Sequence, residues 1–192
     1  KNVKLNGVCL HHDQGALGSA ASYDAMYRQL AKMKNMGVNA IRTSHNPADE
    51  DFIDICNELG LLVVEELFDG WVDAKNGNSY DFSWYFSQKV SNGPYGTDSS
   101  MTWAEAAAKS TVRRDRNDPS VILWSLGNEV QEGTSRGQAS SYASIAQNII
   151  NWIKAEDTTR PATSGDNTRG GDSNLVNVLN TIRNNGGVVG FN

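Results

Sequence analysis

VILWSLGNEV, residues 121–130, starts as a strand and ends as chemistry. Val121, Ile122, Leu123 and Trp124 form an unbroken apolar run, the pattern of a strand buried on both faces. Gly127, Asn128 and Glu129 then break the run and leave an amide and a carboxylate side by side at its tip. A strand buried on both faces belongs in a parallel sheet with helices packed outside it.

The rest of the chain repeats this unit. VKLNGVCL (3–10) reads as a first strand. Ser22 reads as an N-cap with Asp24 in the first turn. Met26, Leu30 and Met33 follow at helical spacing, and Gly37 stops the helix. VNAIRTS (38–44) is a second strand. Pro47 opens the next helix, which carries Phe52, Cys56 and Leu59 on one face and ends at Gly60. LLVVEEL (61–67) is a third strand. Residues 68–101 form a long polar connection rich in Gly, Ser, Asn and aromatics, a kind that is uncommon unless functional or disordered. Thr102 and Glu105 make a capping box for a helix that runs to about Asn117, ahead of Asp118-Pro119. VILWSL (121–126) is the fourth strand. Tyr142, Ile145, Ala146, Ile149, Ile150 and Ile153 keep helical spacing. PATSG (161–165) is a weak fifth strand, Leu175, Val178, Leu179 and Ile182 mark a short helix, and VVGFN (188–192) is a sixth strand.

Two α/β architectures suit this alternation, an open doubly wound sheet and a (β/α)8 barrel. No GxGxxG or GxxxxGK[ST] follows any strand, which removes the usual reason to prefer the open sheet. The expected fold is therefore an incomplete (β/α)8 TIM barrel with about six β/α units, residues 1–192 being part of one barrel domain.

Composition narrows the function. The 192 residues suffice for one sizeable core. A formal net charge of −5 points away from nucleic acid and anionic membrane surfaces. No apolar stretch is long enough for a membrane span. There is no signal-peptide pattern, but the chain starts at Lys1 in mid-pattern and reads as a piece of a longer one, so the compartment stays open. Cys9 and Cys56 are too few for a disulfide framework and are expected to be buried free thiols. His11, His12 and His45 lack zinc-helix spacing and no Cys-x-x-Cys exists, so neither a metal nor a cofactor is expected.

Polar residues gather at the carboxyl ends of the strands. His11, His12 and Asp13 follow the first strand. Arg42, Ser44, His45 and Asn46 follow the second. Glu65, Glu66, Asp69 and Trp71 follow the third, and Asn128 and Glu129 the fourth. Barrels and open sheets both build their sites at this end. A carboxylate beside an amide on a rigid tip suits sugar chemistry. A glycosidase needs one carboxyl group that stays protonated near neutral pH and gives its proton to the leaving oxygen. An adjacent amide can hydrogen-bond a sugar hydroxyl as the ring flattens. Glu129 then acts as acid/base and Asn128 as hydroxyl binder. The alternative is a turn, since Gly-Asn is turn chemistry and Glu129 can cap the next element.

DRNDPSVILWSLGNEV (115–130) resembles the acid/base signature of family 2 of the glycoside hydrolases. NAIRTSHNP (39–47) resembles its second-strand motif, VVEELFDGW (63–71) its third, and LNGVCLHHD (5–13) the entry to its catalytic barrel. The resemblance implies a (β/α)8 catalytic barrel and a retaining mechanism through a covalent glycosyl-enzyme. It implies Glu129 as acid/base and Asn128 as the residue on the sugar 2-hydroxyl. It further implies His45 as a substrate contact, Arg42 as an arginine near the nucleophile with Glu66 as its structural ion-pair partner, and Asp69 and Trp71 as shapers of the sugar subsite. A capping contact before Pro47 is the alternative for His45, and His12 and Asp13 are weighed evenly between site and structure. SHNP and FDGW look most like β-galactosidases. Some of these carry magnesium on a Glu-x-His after strand three, but here the stretch reads FDGW, so no metal is carried over.

The family's nucleophile is a glutamate at the end of the seventh strand, and VVGFN resembles the sixth. The chain is therefore expected to hold half of the catalytic pair, to be inactive alone, and to expose strand edges that invite self-association. The competing readings are a carbohydrate-binding module using Trp71, Trp84, Trp103 and Tyr80 as stacking platforms, with core packing as the plainer role for each, and an unrelated nucleotide-binding α/β enzyme.

Overall fold

The computed structural model describes residues 2–20, 22–75, 82–93, 96–130, 141–167 and 173–192, the side chains of 173–175 excepted. Tyr80 lies outside the described residues. The elements are β1 (Gly7–His11), α1 (Tyr23–Asn35), β2 (Ala40–Ser44), α2 (Glu50–Leu59), β3 (Leu62–Glu66), α3 (Ser83–Ser87), β4 (Lys89–Gly93), β5 (Gly96–Thr102), α4 (Trp103–Asp115), β6 (Val121–Asn128), α5 (Tyr142–Glu156), β7 (Ala162–Gly165) and α6 (Ser173–Asn184).

Strand order decides between the two architectures. The main sheet runs β1-β2-β3-β6-β7, all parallel. A doubly wound sheet reverses its order at a switch point, whereas this order is monotonic, as a barrel wall requires. The helices follow suit, with α1 on α2, α4 on α5 and α5 on α6. Beyond β7 the chain makes a parallel bridge, Asp166 to Phe191, with Val188 N donating to the Ala162 carbonyl and Asn192 N to the Asp166 carbonyl. The expected sixth strand is thus a bridge rather than a ladder. Gly186, Gly187 and Gly190 weaken strand propensity there. Gly190 also packs so tightly on β7 that a Cβ would lie 2.4 Å from the Ser164 carbonyl oxygen.

Other expectations need correcting. The first strand begins at Gly7, not Val3, and Val3 and Leu5 are exposed. The second helix begins at Glu50 rather than Pro47, because the Asp49 side chain accepts from the Asp51 amide and caps it there. The 68–101 connection is partly ordered, with α3 followed by the antiparallel pair β4–β5 packed on α4. Cys9 is exposed, since alternate residues of the edge strand β1 are open, while Cys56 is buried as expected. The caps of α2 and α4 form where expected, with Gly60 left-handed after α2 and Thr102 Oγ1 accepting from Glu105 N.

The core lies between the sheet and its helices. Leu30, Ile53, Ile55, Cys56, Val63, Trp124, Ile149 and Ile150 are almost completely buried there. Each large apolar side chain so removed from water contributes about 1.5–3 kcal/mol. Adjacent glutamates show the pleat at work. Glu65 points outward to Arg114 of α4, and Glu66 points to the inner face, beside Arg42.

Candidate active site

Glu66 organises the strand tips from a fully buried position. Its carboxylate accepts from Arg42 Nε at 3.0 Å and Nη2 at 2.8 Å, from His45 Nδ1 at 2.6 Å and from Ser125 Oγ at 2.6 Å. Its backbone N–H donates to Thr43 Oγ1 at 2.9 Å. A carboxylate so saturated is a scaffold. It fixes the Arg42 fork, and it holds the His45 ring with Nδ1 as the nitrogen that bears a hydrogen toward it.

Arg42 passes this order to β6. Its Nη2 donates to Asn128 Oδ1 at 2.7 Å. With the oxygen so occupied, the Asn128 NH2 is the amide's donor face, and it has no partner among the described residues. Strict alternation from Ser125 would turn Asn128 outward. The β6–β7 register shifts between Ser125 and Asn128, and that irregularity keeps both on the inner face. Gly165 of β7 is needed opposite, because a Cβ there would lie 2.2 Å from Arg42 Nη2.

Glu129 is half-buried and left-handed at φ 43°. That conformation costs a non-glycine residue about 1–2 kcal/mol. Its amide is held by the Gly165 carbonyl at 2.6 Å, so the tip is a strand extension and a clamped residue, not the simple turn that Gly-Asn allowed.

Two residues missed in the sequence complete the cluster. Asn192 Nδ2 donates to Glu129 Oε1 and, at 3.2 Å, to Asn128 Oδ1, while its Oδ1 accepts from Arg42 Nη1 at 3.2 Å. The strand-end rule applied to VVGFN would have flagged it. Lys75 is buried, with Nζ 2.6 Å from Asp69 Oδ1 and 2.7 Å from the carbonyls of both Asp69 and Asn128. Nothing in its sequence context separates it from a solvated loop lysine.

The other candidates lie apart or serve structure. Trp71 is fully buried, gives its indole N–H to the Leu126 carbonyl at 3.0 Å and packs against Tyr142 at 5.8 Å. It presents no ring face to a ligand. It also explains Gly127, where a Cβ would lie 2.9 Å from Trp71 Nε1. Asp69 is partly exposed and committed to Lys75. Asp13 Oδ1 accepts from Gly15 N in a local turn, and His12 is exposed. His11 meets the His45 ring edge-on at 4.9 Å. Glu65 is outside the site, where burial and the neighbouring Asp115 push its carboxyl well up.

These residues and their order identify the chain. Residues 1–185 match the sequence family Glycosyl hydrolases family 2, TIM barrel domain. The chain belongs to this family. A β-galactosidase of Bacteroides ovatus, BoGH2A, is 32% identical over 211 aligned residues, covering 95% of this chain and 23% of its own. A putative β-glucuronidase of Formosa agariphila is 38% identical over 165 residues, covering 86% of this chain and 13% of its own. The crystal structure of a glycosyl hydrolase family 2 member from Bacteroides cellulosilyticus superposes on all of this chain with a TM-score of 0.79 at 34% identity, and 21% of that chain is covered. This family 2 barrel segment therefore spans less than a quarter of the length of these relatives.

Proposed function

We propose that this family 2 segment carries the acid/base half of a retaining β-glycosidase site, with β-galactosides as its substrate class. The observation that carries this is the β6 tip, where Asn128 and Glu129 stand side by side and Arg42 orients the amide from its ion pair with Glu66. Glu129 protonates the leaving oxygen, then takes a proton from the water that attacks the glycosyl-enzyme. The Asn128 NH2 donates to the sugar 2-hydroxyl, and His45 Nε2 hydrogen-bonds a second hydroxyl. Asp69 serves at the rim. Trp71 supports β6 from beneath rather than touching sugar.

Retention needs a second carboxyl group about 5–5.5 Å from the first. Glu66 is buried and saturated, and Asp69 is paired with Lys75. The nucleophile is therefore assigned to a further strand of the barrel, and the 192-residue chain alone is inactive. A neutral galactoside is preferred to a glucuronide because the site cations Arg42 and Lys75 are already paired, so neither is open to a sugar carboxylate. The relative BoGH2A, named a β-galactosidase, supports this choice.

One observation favours a second, non-catalytic reading. Trp84 is 58% exposed, stacks on Trp103 at 6.5 Å, and rims a cavity of about 400 Å³ shared with Asn46, Phe68, Asp69 and Tyr85. Purified chain and its Glu129→Gln and Trp84→Ala variants would be tested for aryl β-galactoside hydrolysis and for galactoside binding by calorimetry. No turnover by any of them is expected. Turnover lost in Glu129→Gln would place a nucleophile within these residues and overturn the assignment. Binding lost in Trp84→Ala but kept in Glu129→Gln would favour the binding module.

A further inference from the structure

We propose that Lys75 is a positioning residue that sets the orientation of Asn128 and Glu129 by holding the one peptide plane they share. The Lys75 ammonium donates two hydrogen bonds, to the carbonyls of Asp69 and Asn128, and stands 2.6 Å from Asp69 Oδ1 as an ion pair. The Asn128 carbonyl and the Glu129 N–H belong to a single planar unit. Lys75 grips that unit by its oxygen, and the Gly165 carbonyl grips it by its N–H. A plane held at both ends cannot rotate, and its direction is what puts Glu129 at φ 43°. The charge is also matched, because Asp69 neutralises a lysine that is otherwise buried. The loop after β3 and the tip of β6 are thereby linked through one cation.

This inference rests on the proposed role of Glu129 only for its kinetic consequence, so the test has two arms. In the first, the 15N ammonium signal of Lys75 in this chain should be visible near neutral pH, since exchange with water is slowed for a buried group held by two hydrogen bonds and an ion pair. In Lys75→Met, hydrogen exchange of the Glu129 amide should rise about 10- to 100-fold, with the Val63 and Leu123 amides unchanged. An absent ammonium signal, or unaltered Glu129 exchange in a folded variant, would overturn the inference. If Lys75→Met fails to fold, the ammonium signal of the unsubstituted chain decides alone. In the second arm, Lys75→Met in a polypeptide carrying the complete barrel should lower kcat about 100-fold at unchanged KM. The loss should be larger for poor leaving groups, which need the proton from Glu129, than for activated aryl ones. A change in KM alone would contradict positioning. Loosened Glu129 exchange with activity indifferent to Glu129 would retain the inference and sink the function proposed above.

Discussion

Cys9 and Cys56 are distinguished by a single strand pleat and a helix face. Cys9 sits on the open edge strand, its Sγ 3.8 Å from Arg42 Nη1. Cys56 is on the buried face of α2, where burial and the nearby Glu65 carboxylate push its thiol up to about 12. In native buffer, one thiol per chain should therefore react rapidly with an aromatic disulfide, and Cys9→Ser should abolish that reaction. Two equally fast thiols would contradict the burial of Cys56. At this scale the sequence was legible in where the strands end. The placing of Arg42, His45, Asn128 and Glu129 at strand tips, with Arg42 reaching both Glu66 and Asn128, follows from their position after apolar runs. Lys75 could not be placed this way, because a loop lysine is solvated by default and only the folded chain brings two carbonyls and a carboxylate to it. Trp71 misled for a related reason. An aromatic beside a site residue serves as either platform or wall, and the indole hydrogen bond to Leu126 makes it a wall.

The elements were legible where local signals agree. Gly60 ends α2 and Thr102 caps α4 because those residues satisfy orphan backbone groups wherever the chain goes. The irregularity near the end of β6 left no mark in the sequence, since it depends on the partner strand β7. The C-terminal end of α5 carries a testable device. Asp157 caps it and accepts from Trp124 Nε1 at 2.9 Å, Arg160 Nη1 at 2.9 Å and Thr159 N at 2.8 Å. Burial alone would raise this carboxyl, but the hydrogen bonds from Thr159, Trp124 and Arg160 outweigh it and hold it down at about 2. A carboxyl whose folded value lies below its unfolded value of about 4 adds stability above that pH and loses it as pH falls through the folded value. Asp157→Asn should thus cost about 2 kcal/mol at neutral pH, and its denaturation midpoint should vary less than that of the unsubstituted chain between pH 5 and pH 2. Parallel acid profiles for the two proteins would contradict the role given to Asp157.

For the whole molecule, a monotonic parallel order with helices in sequence follows from repeated β/α units once phosphate-loop motifs are missing. The long connection after β3 was less legible, because β4 and β5 are polar and held by each other and by α4 rather than by an apolar stripe. Among the described residues β1 is an edge of the main sheet, and we propose that, in these 192 residues taken alone, this edge offers a template to a second copy, so light scattering should show the apparent mass rising with concentration. A strictly monomeric profile would contradict this. The central claim, that Glu129 is the acid/base of a glycosidase barrel, is tested most directly by extending this segment to a complete barrel. Hydrolysis of activated and unactivated β-galactosides would then be compared for Glu129 and Glu129→Ala. The account predicts a loss of about 100-fold or more on the unactivated substrate, where a proton must be supplied, a much smaller loss on the activated one, and partial recovery with azide. Equal activity of the two proteins on the unactivated substrate would contradict it.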